Sequence, residues 1–301
     1  MAPRTRVRHG GRAFAGDSDW SAADPLCIHL AVAAGLSMRS PSWSPMKPLH
    51  RVTLLAFLAC AATASAAPPL KTSTKAASAK QEEVVLAKDV SVRRIAPGVW
   101  IHVTKAGKDW GGTPANGLLV EDGDASILVD TGWTPEHSKV LLAWAKDTLH
   151  HPVRAALVTH FHIDRTGGIP TLDAQGIPVH AREDTARRAK AEGNPVPQQR
   201  LSDAQDFGPL SVFFPGAGHT PDNLVVMHPA SGILYGGCFI KDASAKTLGN
   251  LEDADVAAWP ASLKREREHF PDARIIVPGH EQPGGTQLLD HTEALLKKAS
   301  N

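Results

Sequence analysis

Three apolar runs in this chain each stop on a residue that can bind a metal or carry a proton, and this repetition constrains the fold more than any other feature. Ile127-Leu128-Val129 runs into Asp130 and then Thr131-Gly132-Trp133. Ala156-Leu157-Val158 runs through Thr159 into His160, and Ile275-Ile276-Val277 runs through Pro278-Gly279 into His280. Short apolar runs bounded by turn residues read as buried strands. Strand ends that feed loops on one edge of a scaffold are where catalytic groups collect.

The remaining pattern fills in a layered scaffold. Further strands are expected at 99–103, 118–120, 212–214, 224–227 and 233–235. Ile177-Pro178-Val179 is a weaker candidate, because its proline would confine it to a sheet edge. Helices are expected at 135–149, 182–191, 256–270 and 286–298; in the first of these Val140, Leu141, Trp144 and Leu149 fall near one face. Strands alternate with helices and no short repeat is visible. This predicts an α/β or α+β sandwich in which helices cover sheets.

The chain does not read as folded from its first residue. Residues 1–45 hold no stretch that looks like a core element, and they are read as an upstream extension. At Met46 the pattern changes: Lys47, His50 and Arg51 lead into an apolar run from Val52 to Ala62, and Ala64-Ser65-Ala66 follows. That is the layout of a secretory signal peptide over 46–66, too short to serve as a lasting membrane anchor. The alternative, a lipidated Cys60, fits poorly, because Phe57-Leu58-Ala59 lacks a Leu three residues before the cysteine. Residues 67–83, rich in Ala, Lys, Ser and Thr, read as a flexible tether, and 84–301 as the folded domain. Residues 67–301 carry 25 Lys/Arg against 28 Asp/Glu, without the clustered basic face of a nucleic-acid binder. Cys27 and Cys60 fall in the removed part, so Cys238 is alone in the exported chain and has no internal disulfide partner. In an oxidising compartment such a cysteine is a buried apolar group, a reactive thiol or a metal ligand.

Its neighbours favour the last. The segment His160-Phe161-His162-Ile163-Asp164-Arg165-Thr166-Gly167-Gly168 places two imidazoles one residue apart, with a carboxylate two further on. His219 in Gly218-His219-Thr220, Cys238 in Gly236-Gly237-Cys238 and His280 in Pro278-Gly279-His280 each stand beside glycine, which permits close backbone approach. Imidazole, thiolate and carboxylate together suit zinc, whereas calcium and magnesium take oxygen shells. A site spread from His160 to His280 is built by a whole fold rather than by closely spaced pairs. The other histidines (102, 137, 150, 151, 180, 228, 269 and 291) read as ordinary surface or capping residues.

The His-Phe-His-Ile-Asp run, the Gly-His-Thr and the Pro-Gly-His together resemble the metallo-β-lactamase superfamily, over about residues 88–299. Many members place a second His after the Asp and a bridging Asp on a later strand; here Arg165 and Cys238 stand in those places. With Gly236-Gly237-Cys238-Phe239-Ile240-Lys241 and Leu248-Gly249-Asn250-Leu251, the chain is similar to the class B zinc β-lactamases whose second site is Asp–Cys–His.

The resemblance implies a four-layer αββα sandwich with the metal site at one edge of the two sheets. It implies two zinc ions, one held by His160, His162 and His219, the other by Asp164, Cys238 and His280. Lys241 would pair with the substrate carboxylate, Asn250 would polarise the lactam carbonyl, and Asp130 would support the ligands from behind. The stretch 105–116, with Trp110, would close over substrate. The implied activity is hydrolysis of the β-lactam amide of penicillins, cephalosporins and carbapenems by a metal-bound hydroxide, in a monomeric periplasmic enzyme that confers antibiotic resistance. A relative acting on lactones or thioesters, and a zinc-binding protein without catalysis, are the alternatives.

Overall fold

A computed structural model describes residues 83–299. The expected extension (1–45) and signal peptide (46–66), Cys27 and Cys60, and all of the tether except Glu83 lie outside the described residues. Two sheets are present. The first has eight strands in chain order: β1 (Glu83–Ala87), β2 (Val90–Ala96), β3 (Val99–Lys105), β4 (Pro114–Asp122), β5 (Ala125–Val129), β6 (Val153–Leu157), β7 (Val179–Arg182) and β8 (Gln199–Leu201). The second has five, ordered β13-β12-β11-β10-β9: β9 (Ala204–Phe207), β10 (Leu210–Phe213), β11 (Val225–His228), β12 (Ile233–Gly237) and β13 (Ile275–Pro278). The helices are α1 (Pro135–Asp147), α2 (Ile163–Thr166), α3 (Ile169–Ala174), α4 (Glu183–Glu192), α5 (Trp259–His269) and α6 (Gln287–Ala299).

Strand alternation sorts the apolar residues into three cores. Successive side chains of a strand point to opposite faces. Leu118, Val120, Ile127 and Val129 meet Val226, Ile233, Tyr235 and Val277 between the sheets. Their neighbours Leu119 and Leu128 pack outward against Leu141 and Trp144 of α1 and Leu172 of α3. On the far side Val225, Leu234 and Ile276 pack against Trp259 and Leu263 of α5 and Leu288 of α6. The order of layers is therefore helix, sheet, sheet, helix. Strands buried on both faces read as continuous apolar runs, which is why the sequence showed them so plainly.

Most neighbouring strands are antiparallel, but β5 and β6 are parallel in one sheet, and β12 and β13 in the other. A parallel pair delivers both carboxyl ends to the same edge. Asp130 and His160 follow β5 and β6, and Cys238 and His280 follow β12 and β13. The two pairs bring the polar strand ends of both sheets to one place.

Differences from the sequence expectation have local causes. β7 is paired on both sides, to β6 and β8, rather than lying at an edge. Its ladder starts at Val179, so Pro178 stands before the strand and no ladder N–H is lost. The outer strands β1, β8 and β9, and half-polar β2, were not expected, since their polar residues interrupt the apolar signal. β1 opens at Glu83, one residue ahead of the expected domain start. α5 begins at Trp259 rather than 256, where the Asp255 carboxylate accepts the Ala258 N–H at 2.8 Å and holds a turn ahead of the helix. α1 begins where expected, with Thr134 accepting the His137 N–H and proline at the first helical position.

Candidate metal centre

Among the described residues, two groups of His, Cys, Asp and Glu can each hold a metal: His160, His162 and His219, and Asp164, Cys238 and His280, with ligand atoms within 4.8 Å of one another in each group. The six residues expected from sequence are the ones brought together. The other histidines engage elsewhere: Nε2 of His102 bonds to the carbonyls of Val129 and Asp130, His137 pairs with Asp89, and His269 stacks on Phe213.

In the first group, Nδ1 of His162 faces Nε2 of His219 at 3.3 Å, while Nε2 of His160 is buried without a hydrogen-bond partner among the described residues. Burial, followed by the neighbouring imidazoles for His160 and by Lys241 and His162 for His219, holds both histidines well below the usual pKa. Their rings are therefore neutral at physiological pH and keep lone pairs free. An unpartnered buried imidazole nitrogen facing two others is the donor set a zinc ion takes.

Behind these ligands stands a support the sequence only partly showed. Asp130 is fully buried in a left-handed backbone conformation (φ 59°). Its carboxylate accepts the Thr159 N–H at 2.8 Å and hydroxyl at 2.9 Å, and that hydroxyl lies 3.3 Å from Nδ1 of His160. A hydroxyl that donates to Asp130 accepts from Nδ1–H, which leaves Nε2 of His160 bare toward the group. His162 is oriented by Asp253, whose carboxylate lies 2.9 Å from Nε2. Nothing in sequence marked Asp253; it sits in an acidic loop (Leu251-Glu252-Asp253-Ala254-Asp255) of surface character.

In the second group, Sγ of Cys238 lies 3.2 Å from Nε2 of His280 and 3.9 Å from Oδ2 of Asp164. Nδ1 of His280 meets the Pro114 carbonyl at 2.6 Å, which turns Nε2 inward. Gly279 permits this approach: a Cβ there would stand 2.7 Å from Sγ of Cys238 and 2.5 Å from its backbone nitrogen. Arg165, completely buried, sends Nη2 to within 2.8 Å of Asp164 and 2.9 Å of Cys238, and Nη1 to the Tyr235 hydroxyl and the Asn116 carbonyl. Burial alone would raise the pKa values of Asp164 and Cys238, but Arg165 and then His280 outweigh it, and both fall below their ordinary values. Arg165 thus favours the anionic donor form of both groups.

Both groups open on a cavity of about 610 Å³ that is also lined by Trp110, Trp133, Lys241, Asn250 and Asp253. Lys241 has no carboxylate within salt-bridge distance among the described residues, and its Nζ sits 5.4 Å from the Trp259 ring. Its pKa is lowered, burial being the largest cause. Asn250 turns Oδ1 to the Glu252 N–H at 3.1 Å. Exposed Trp110 stands on a 3-10 turn between β3 and β4 and packs on Trp133 at 5.5 Å across the cavity mouth.

This fold has close counterparts. A family model for the metallo-β-lactamase superfamily matches residues 110–280. A metallo-β-lactamase type 2 from Bacteroides fragilis is 36% identical over 223 residues, 72% of this chain and 90% of the relative. One from Bacillus cereus is 36% identical over 212 residues, 69% of this chain and 83% of the relative. Among solved structures, the metallo-β-lactamase FIM-1 from Pseudomonas aeruginosa, in a mono-zinc form, matches with a TM-score of 0.69 at 39% identity, covering 72% of this chain and 99% of that one. A metallo-β-lactamase from Erythrobacter litoralis matches equally well at 38% identity, covering 72% of this chain and all of that one. The chain belongs to the metallo-β-lactamase superfamily.

Proposed function

We propose that this chain is a zinc-dependent β-lactamase that hydrolyses the amide of penicillins, cephalosporins and carbapenems. The observation that carries this reading is the meeting of the three-histidine group and the Asp–Cys–His group on one cavity that also holds Lys241, a cation without a carboxylate partner among the described residues. His160, His162 and His219 would hold one zinc, and Asp164, Cys238 and His280 a second. Zinc bound there supplies a Lewis acid and water with a pKa of about 7.

The protein's own residues supply binding and orientation. Lys241 takes the carboxylate beside the lactam ring, which aligns the carbonyl for attack. Asn250 has its oxygen engaged by Glu252, so its NH2 donates to the lactam carbonyl as negative charge develops there. Asp164 presents its carboxylate at the cavity wall and orients the attacking water. Trp110, resting on Trp133, covers the substrate and excludes solvent. No serine nucleophile is needed and no acyl-enzyme forms. Hydrolysis in the periplasm, by a monomer exported through the 46–66 segment and beginning at Ala67, would protect a cell from these antibiotics. No helix among the described residues is long and apolar enough to cross a membrane.

The test is hydrolysis of a chromogenic cephalosporin before and after chelation, with elemental analysis. Activity lost on chelation and restored by zinc, with two zincs bound at saturation, is expected. Full turnover by metal-free protein overturns the mechanism, and turnover of lactones or thioesters alone moves the substrate to the alternative class.

A further inference from the structure

Asn116 lies on β4 outside the cavity, yet its side-chain NH2 and its backbone N–H both reach the segment that carries His280 of the second metal group. Its backbone N–H donates to the Gly279 carbonyl at 2.8 Å. Its side-chain NH2 donates to the carbonyls of Pro278 at 2.9 Å and Glu281 at 2.8 Å. Its own carbonyl accepts from Nη1 of Arg165 and from the Tyr235 hydroxyl, both at 2.6 Å. Two residues earlier, the Pro114 carbonyl takes Nδ1 of His280. One short piece of β4 therefore grips residues 278–281 on both sides of a ligand.

The grip falls where the backbone is strained. Glu281, directly after His280, has φ of 64°, a left-handed conformation that costs any residue with a side chain and that glycine adopts freely. Glu281 is exposed and forms no ion pair among the described residues. The contact that holds it is the Asn116 amide on its carbonyl. Strained residues persist when their surroundings over-determine them, and they gather at functional sites.

We propose that Asn116 is a positioning residue for the second metal: its carboxamide holds the left-handed turn at Glu281, which keeps Nε2 of His280 aimed at Asp164 and Cys238. The inference rests on the two-metal reading above. A residue that only fastened the sheets together would affect both metal groups alike, or neither. The Asn116 side chain, which the substitution removes, touches the segment of one ligand in one group.

The test titrates metal-free wild type, Asn116→Ala and the double variant Asn116→Ala/Glu281→Gly with cobalt(II), following the thiolate-to-cobalt absorption that only the Cys238 group can produce, with thermal melting alongside. Loss of a residue that orients a ligand costs about 10–100-fold in metal affinity. Asn116→Ala is expected to lose that much at the thiolate site and to keep the affinity of the histidine site. Glycine at 281 removes the strain that the amide had restrained, so the double variant should recover part of the loss. Wild-type affinity at the thiolate site in Asn116→Ala, an equal loss at both sites, or no recovery in the double variant overturns the proposal. So does failure of both variants to fold. If wild type itself gives no thiolate absorption at any cobalt level, the two-metal reading falls first, which separates the two failures.

Discussion

The Arg165 guanidinium lies 2.9 Å from Sγ of Cys238, with both side chains buried. A buried cation must be matched by nearby anions, and Asp164 and Asp130 supply them at 2.8 and 3.4 Å. The same cation lowers the pKa of the thiol against the effect of burial. In metal-free protein, the rate of Cys238 alkylation should therefore rise with pH around a midpoint below that of a free thiol. Arg165→Ala should move the midpoint up, because burial would then act with less opposition. Bound zinc should block the reaction. An unchanged midpoint in the variant would show that Arg165 does not set the ionisation of the thiol.

Lys241 is the one cation on the cavity wall with no acidic partner among the described residues. Lys241→Ala should raise the Michaelis constant for penicillins, cephalosporins and carbapenems alike. A charge-assisted contact is worth about 1.5–3 kcal/mol, so catalytic efficiency should fall about ten- to a hundredfold. Zinc content should not change, and Lys241→Arg should keep part of the function, since the charge survives while its geometry shifts. Steady-state kinetics beside elemental analysis decides this. Wild-type efficiency in the alanine variant would return Lys241 to an ordinary solvated cation.

Asp253 reaches His162 from a loop far along the chain, 2.9 Å from Nε2. Asp253→Ala should weaken metal binding at the histidine group by about 10–100-fold while sparing the thiolate group. Asp253→Asn keeps the shape but not the charge, and should fall between. Chelator competition monitored on each site separates the two effects. A loss confined to the thiolate group would contradict the assignment.

Glu266 supplies a pH effect unrelated to catalysis. On α5 its carboxyl is fully buried and neither oxygen has a hydrogen-bond partner among the described residues. Burial raises its pKa from 4.5 to about 7. The folded protein thus binds the proton more tightly than the unfolded chain does, so this group's contribution is most favourable below about pH 4.5 and is lost as pH rises to about 7. Above that the buried carboxylate costs on the order of 3 kcal/mol. Glu266→Gln should melt higher than wild type at pH 8, and the advantage should shrink toward pH 5. A difference independent of pH would mean that Glu266 is not the titrating group.

The chemistry of the centre was legible in the sequence because it is written locally. His160, His162 and Asp164 lie within five consecutive residues, Cys238 and His280 each follow an apolar strand, and residue type alone restricts the metal. That helices cover sheets was legible for a related reason: strands covered on both faces must be apolar throughout, and helices must carry an apolar stripe; the αββα order itself came from the family resemblance. The division of the six ligands into two groups on one edge came from the family resemblance and not from spacing; in the structure it follows from the parallel pairs β5/β6 and β12/β13 ending side by side, a matter of strand order. Two things were not legible. That Asp253 holds His162, and Asn116 the loop of His280, depends on loops and strands brought together by packing, and no spacing between such residues encodes a distance. That Arg165 balances two carboxylates and a thiol depends on its complete burial, since the same charges in water would be screened and would leave the thiol and carboxylates near their ordinary ionisation. Sequence determined which atoms could bind metal, and the tertiary structure decided which of them meet, which neighbours orient them and in what charge state they wait.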